Sequence, residues 1–221
     1  KRRAHVREFI AASEQFFGDV LTAGTQPSVE LADYDENAEE KILTGILYPE
    51  THLDWASCAR KVSALSPKER EEIFARYLRG RTERWHKVGR AFENAFVRFD
   101  IVMNIGAYRD LHRHRMLTQE RQLFSAHHGY DVPKELEESG LASRFREALD
   151  RAVALFMKIE KYDRELAQYV VPLACRMRFY QMKNFRQLFW EMELRTISQG
   201  HPDYRVIEQE KYRLVKEKFP R

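Results

Sequence analysis

Glu93-Asn94-Ala95-Phe96-Val97-Arg98-Phe99-Asp100-Ile101 decides the fold. Alternate residues Glu93, Ala95, Val97, Phe99 and Ile101 form one side, and Asn94, Phe96, Arg98 and Asp100 the other. Period-two patterning with one nearly apolar face reads as a strand laid on a core. Glu93 begins that apolar face. A carboxylate there either reaches water at the sheet's end or points at a ligand, since an unpaired buried one is costly.

Just downstream, Asn104-Ile105-Gly106-Ala107 is expected to turn the chain, and residues 108–115 to form a short helix. Arg109, His112, Arg113, His114 and Arg115 put five cationic or potentially cationic groups into seven positions. Such a cluster repels itself unless water or an anion relieves it, so this is the expected anion-binding corner of a pocket. Asp110 and His114 are four apart and positioned to pair.

Elsewhere the pattern is helical. Helices are expected over 1–21, 35–47, 53–65 and 66–79, with 22–33 a loop. Ser66, Pro67 and Glu69 supply N-cap, N1 and N3 of a capping box. Residues 81–90 form a basic connection. Further helices are expected over 133–139, 141–161, 163–180 with a break at Pro172, 181–198 and 204–218. Asn184 and Arg195 lie eleven apart on one of these, about three turns, hence on nearly one face. The fold class is α+β, mainly helical with a small sheet around 92–103. An N-terminal helical segment, 1–50, precedes a domain over 51–221, and the two are expected to form one compact unit.

The chain has 221 residues, 43% hydrophobic and 33% charged, with a net charge of +4. No segment approaches the roughly 18 apolar residues of a membrane span, and no secretory h-region follows Lys1-Arg2-Arg3. A first residue other than Met suggests a piece of something longer. Cys58 and Cys175 read as core thiols, and a reducing cytoplasm is expected. Acids interleave the bases throughout, which argues against a nucleic-acid footprint. Arginines crowd the four histidines between His112 and His128 and disfavour a metal ion. There is no Gly-rich phosphate loop and no nucleophile elbow.

Arg113-His114-Arg115 followed by Thr118 resembles the first half of the Arg-His-Arg-x-x-Ser-x-Asn-x-x-Ser-x-Arg-Tyr signature of the flavin-dependent thymidylate synthases, the ThyX family. Ala91-Phe92-Glu93-Asn94 is similar to that family's Pro-Phe-Glu-His strand start, and Pro172-Leu173 to its Pro-Leu helix start. Asn184, Arg186, Leu188 and Leu194-Arg195 follow its Asn-x-Arg-x-Leu helix, and Ser198, Gln199, Gly200, His201 and Asp203 its closing motif. The resemblance covers roughly 55–205 and implies a ThyX-like fold with a small antiparallel sheet. It implies methylation of deoxyuridylate, with methylenetetrahydrofolate supplying the carbon and FAD, recharged by NADPH, the hydride. It also implies a homotetramer with FAD between subunits. Glu93, Arg113, His114, Arg115 and Asn184 would contact FAD, Arg113 and Arg195 would hold the nucleotide, and Arg195 would be the catalytic cation.

The second half of the signature departs: its Asn, second Ser, Arg and Tyr are Glu120, Leu123, Ser125 and Ala126. A further family arginine is Gln168, and two family histidines are Asn94 and Gln199. Two substrate-phosphate arginines are thus missing, a loss of several kcal/mol of charge-assisted binding unless replaced. The alternative expectation is therefore a non-catalytic ThyX-like structural or regulatory domain, or a half paired with a second such domain.

Overall fold

The computed structural model describes residue 8 and residues 27–220, so the helix expected over 1–21 lies, but for Glu8, outside the described residues. Strand β1 (Ser28–Tyr34) is followed by helices α1 (Ala38–Leu47), α2 (Trp55–Ser63) and α3 (Pro67–Leu78). After a 3-10 turn (Arg90–Glu93) come strand β2 (Phe96–Asn104), helix α4 (Ile105–Leu111) and strand β3 (Thr118–Arg121). Helices α5 (Lys134–Glu138), α6 (Ala142–Glu160) and α7 (Arg164–Ala167) lead to strand β4 (Arg176–Asn184). Helices α8 (Phe185–Arg195) and α9 (Pro202–Lys218) complete the described chain. The fold is α+β, mainly helical with a four-stranded antiparallel sheet in the order β1-β2-β4-β3.

The decisive stretch is a strand, and its apolar side faces the core as the alternation requires: Val97, Phe99, Ile101 and Met103 are all buried. Glu93 is not on it. The 3-10 turn closes before the strand begins, which moves Glu93 off the sheet's face and beside α8. The strand runs directly into α4, whose first residue is Ile105 rather than Tyr108. The Asn104 side chain supplies the N-cap, accepting from the Ala107 amide at 2.8 Å. The expected capping box at Ser66 and Glu69 is present on α3.

Three strands are hidden in the pattern, and β3 is the shortest of them, in the polar run after Arg115. The expected loop over 22–33 contains β1, an edge strand whose exposed residues outnumber its half-buried ones. It pairs along β2, and α1, which follows it in the chain, buries Ile42 and Leu43, so the described part of the expected helical segment 1–50 shares the core. The helix expected over 163–180 holds only α7 and a 3-10 turn (Gln168–Val170) before Pro172, and then becomes β4. Pro172-Leu173 accordingly begins a turn, with the Cys175 amide donating to the Pro172 carbonyl at 3.0 Å. The helix expected over 181–198 starts at Phe185, because Gln181 to Asn184 pair in the sheet with Phe96 to Phe99. Helices α8 and α9 pack together, with α9 crossing β1 and β2. Among the described residues no helix is long and apolar enough to cross a membrane.

Candidate functional site

Helix α8 carries the site, and its placement follows from the β2–β4 register. Phe96 is opposite Asn184, and the Phe185 amide donates to the Ala95 carbonyl at 3.2 Å. The helix therefore starts beside the 3-10 turn that bears Glu93. Arg186, in the first turn of α8, makes a short charged hydrogen bond to the Glu93 carboxylate. Arg90 lies on its other oxygen at 3.2 Å. Arg186 first, and Arg90 after it, hold Glu93 below the usual carboxylate range. The Asn184 side-chain oxygen is committed to capping α8, accepting from the Gln187 amide at 2.9 Å. The shared helical face expected for Asn184 and Arg195 is thus an N-cap and a last residue, at opposite ends of α8.

The other end of α8 holds the second group. Arg195 Nε donates to His114 Nε2 at 2.9 Å, and one of its terminal nitrogens donates to the Asp110 carbonyl at 2.9 Å. Gln187 lies 3.2 Å from His114 Nδ1. A guanidinium is always a donor, so His114 Nε2 must accept and the ring proton belongs on Nδ1. The Gln187 side-chain nitrogen is the atom placed there, so the amide must turn over to offer its oxygen to that proton. Burial pushes His114 below the ordinary imidazole value; Glu191 opposes this, and Arg195 and two buried lysines add to it. A neutral ring is what the geometry needs. The expected Asp110–His114 side-chain pair does not form, because α4 ends at Leu111 and the ring turns toward α8.

Arg113 and Arg115 flank this buried ring and are exposed. Neither forms an ion pair with a described residue. Of the six residues singled out in sequence, the structure joins His114 with Arg195 and leaves Arg113 and Arg115 beside them. Glu93 and Asn184 lie at the far end of α8, about 15 Å away at 1.5 Å per residue. Among the described residues no three His, Cys, Asp or Glu side chains converge on a metal position. Both cysteines are buried and free, and burial raises the Cys175 thiol to about 11, which suits packing rather than nucleophilic attack.

Positions that depart from the family signature also meet in space. Leu123, Phe124 and Gln168 line one cleft of about 550 Å³ with Asp163, Glu165, Leu166 and Tyr169. The Phe124 amide donates to the Gln168 side-chain oxygen at 3.1 Å, closing the loop after β3 onto the turn after α7. The Arg121 guanidinium lies over the Phe124 ring, 4.0 Å from its centre, and is the cation beside this cleft.

Sequence reasoning misses the groups behind His114. Lys183, Glu191, Glu208 and Lys211 are wholly buried and bonded to one another. Lys183 follows the inward alternation of β4, but nothing at the sequence level separates Glu208-x-x-Lys211 from the exposed Glu210-x-x-Arg213 beside it.

A family model described as thymidylate synthase complementing protein matches residues 30–221. A UPF0159 protein of Chlamydia pneumoniae is 37% identical over 207 residues, covering 93% of this chain and 39% of that protein. One from Thermoplasma acidophilum is 32% identical over 201 residues, covering 89% and 40%. The chain thus spans about two fifths of the length of the curated relatives it matches. Among solved structures, a UMP/dUMP methylase, PolB from Streptomyces cacaoi bound with 5-Br dUMP, superposes with a TM-score of 0.68. That match covers 88% of this chain and 92% of the other at 16% identity, a likeness of fold.

Proposed function

The chain belongs to the family of thymidylate synthase complementing proteins, and from that premise we propose that it is a flavin-dependent thymidylate synthase-like domain acting on a uridine nucleotide, deoxyuridylate first. The observation that carries the reading is the Arg195–His114 hydrogen bond. It brings together two motifs 81 positions apart in the chain, which supports reading them as one anion site with Arg113 and Arg115 at its edge. That the superposable PolB is a UMP/dUMP methylase supports a nucleotide of this class.

In this reading Arg113 and Arg195 clamp the nucleotide. Arg195 spends Nε and one terminal nitrogen inside the protein, which leaves the other terminal nitrogen for an incoming oxygen. Its charge also stabilises negative charge developing on the uracil ring. The exposed, unpaired Arg113 and Arg115 fit the phosphates of FAD, and Asn184 keeps its amide hydrogens for the cofactor after its oxygen caps α8. Glu93 is held as a carboxylate by Arg186. When bound, FAD supplies the hydride, with NADPH and methylenetetrahydrofolate as co-substrates. No thiol nucleophile is called for. The two groups at opposite ends of α8 suit a cofactor shared between copies in a homotetramer, or between this domain and a second one of its kind. A cytoplasmic setting suits two reduced thiols.

The test is the visible spectrum of the purified protein before and after adding FAD and gel filtration. Retained flavin absorbance is expected, followed by NADPH oxidation that responds to deoxyuridylate. A colourless protein that keeps no FAD would overturn the flavin reading. It would favour the second one, a non-catalytic domain, for which the cleft where Leu123 and Gln168 replace the signature's Ser and Arg is the supporting observation.

A further inference from the structure

Behind the anion site lies a closed ionic cluster. Glu191 Oε2 accepts from Lys183 Nζ at 2.6 Å, and Oε1 accepts from Lys211 Nζ at 3.2 Å. Lys211 also donates to Glu208 at 2.6 Å. Both ammonium groups donate to the Gln181 side-chain oxygen, at 2.8 and 2.7 Å. All four charged side chains have no solvent exposure. They come from β4, α8 and α9, and so tie together the three elements that surround the site. Burying such a set gains little over packed apolar side chains of the same volume, while breaking it is costly. Its position therefore needs another account than stability.

That position is specific. Gln187, Glu191 and Arg195 are spaced by four and share one stripe of α8. Gln187 and Arg195 grip the two nitrogens of His114. Glu191 is the residue between them, so its carboxylate stands behind the ring they hold. The charged groups around His114 are then Glu191 and Arg195 from α8, Lys183 from β4, and Lys211 with Glu208 from α9, while α4 contributes the Asp110 carbonyl that Arg195 also uses.

We propose that Glu191, clamped by Lys183 and Lys211, is the positioning residue of the anion site: it fixes the α8 stripe, and the two lysines offset its charge so that His114 stays a neutral acceptor and Arg195 stays aimed outward. This rests on the reading that Arg195 takes the nucleotide. If His114 gained a second proton, Nε2 could no longer accept, and the bond that aims Arg195 would be lost. Glu191 favours that proton and the lysines disfavour it, so the clamp sets the balance.

The test is NMR of the His114 ring with deoxyuridylate binding measured on the same samples. In the wild type, His114 is expected to carry its proton on Nδ1 and to remain neutral below the usual imidazole range. Lys183→Met is expected to raise the pH at which the ring protonates, and Glu191→Gln to lower it, each by about one pH unit. Loss of packing alone would not produce opposite shifts. Lys183→Met should also weaken deoxyuridylate binding roughly tenfold once the pH falls below its raised titration point, the cost of one misdirected charge-assisted hydrogen bond. An imidazolium at pH 6 or an Nε2–H tautomer in the wild type overturns the proposal, even if neither variant folds. So do folded variants whose rings titrate together. A wild type that binds no deoxyuridylate instead sinks the nucleotide reading, and the ring titration still decides the positioning role.

Discussion

Arg113 and Arg195 carry the same charge and do different work. Arg195 is bonded inward to His114 and Asp110, whereas Arg113 is exposed and holds nothing among the described residues. Arg113→Ala should leave thermal stability within about 0.5 kcal/mol of wild type, as exposed substitutions do. It should weaken FAD or nucleotide binding roughly tenfold, read by fluorescence titration. Undiminished binding in the folded variant would remove Arg113 from the site. The identity of these residues is legible in the sequence alone, because a short basic run has few explanations. Their partners are not. Nothing local says that His114 turns away from Asp110 toward a helix that begins 71 positions later at Phe185. That follows only once β2 and β4 are paired.

At the scale of elements, legibility follows the chemistry of the buried face. Strand β2 declares itself because its inward residues are all apolar. Strand β4 does not, because its inward face carries Gln181 and Lys183 beside Met177 and Phe179, while Tyr180 and Met182 lie on the other side. Charge and hydrophobicity are exchanged between its faces, and the alternation disappears. Strand β1 is hidden for another reason: as an edge it has no fully buried side to show. Helix α8 is legible, but its start is obscured by the residues that β4 places ahead of it. The hidden lysine gives β4 a measurable signature. Burial first lowers Lys183 from 10.5 to about 8. Between about pH 8 and about 10.5 the unfolded chain therefore binds more protons there than the folded one, so this group's contribution to stability rises with pH. Denaturant titrations across that window should show a slope in wild type that Lys183→Met lacks. Equal slopes would mean that burial does not lower Lys183 in the folded protein.

For the whole molecule, the separation along α8 matters most. One chain offers Glu93 and Asn184 at one end and the His114–Arg195 pair at the other, about 15 Å apart. If copies share a cofactor between such ends, Glu93→Ala and Arg115→Ala proteins, each poor at retaining FAD, should recover part of that retention when unfolded and refolded together. Mixed oligomers then contain sites with no substitution, and gel filtration with flavin absorbance reads the gain. Recovery no better than the average of the two proteins would place both ends of one α8 on one cofactor or on none.

The bond between the Phe124 amide and the Gln168 side chain also bears on ancestry. In the resembling family an arginine stands where Gln168 does, so a return to it looks like one substitution. Yet that amide oxygen is now a strut between two loops. Exchanging it first strips a backbone N–H of its acceptor, and gives back a cation facing Asp163, Glu165 and apolar neighbours. The strut ties the loop after β3 to the turn after α7, and an arginine at position 168 would cost that tie before it gained a charge.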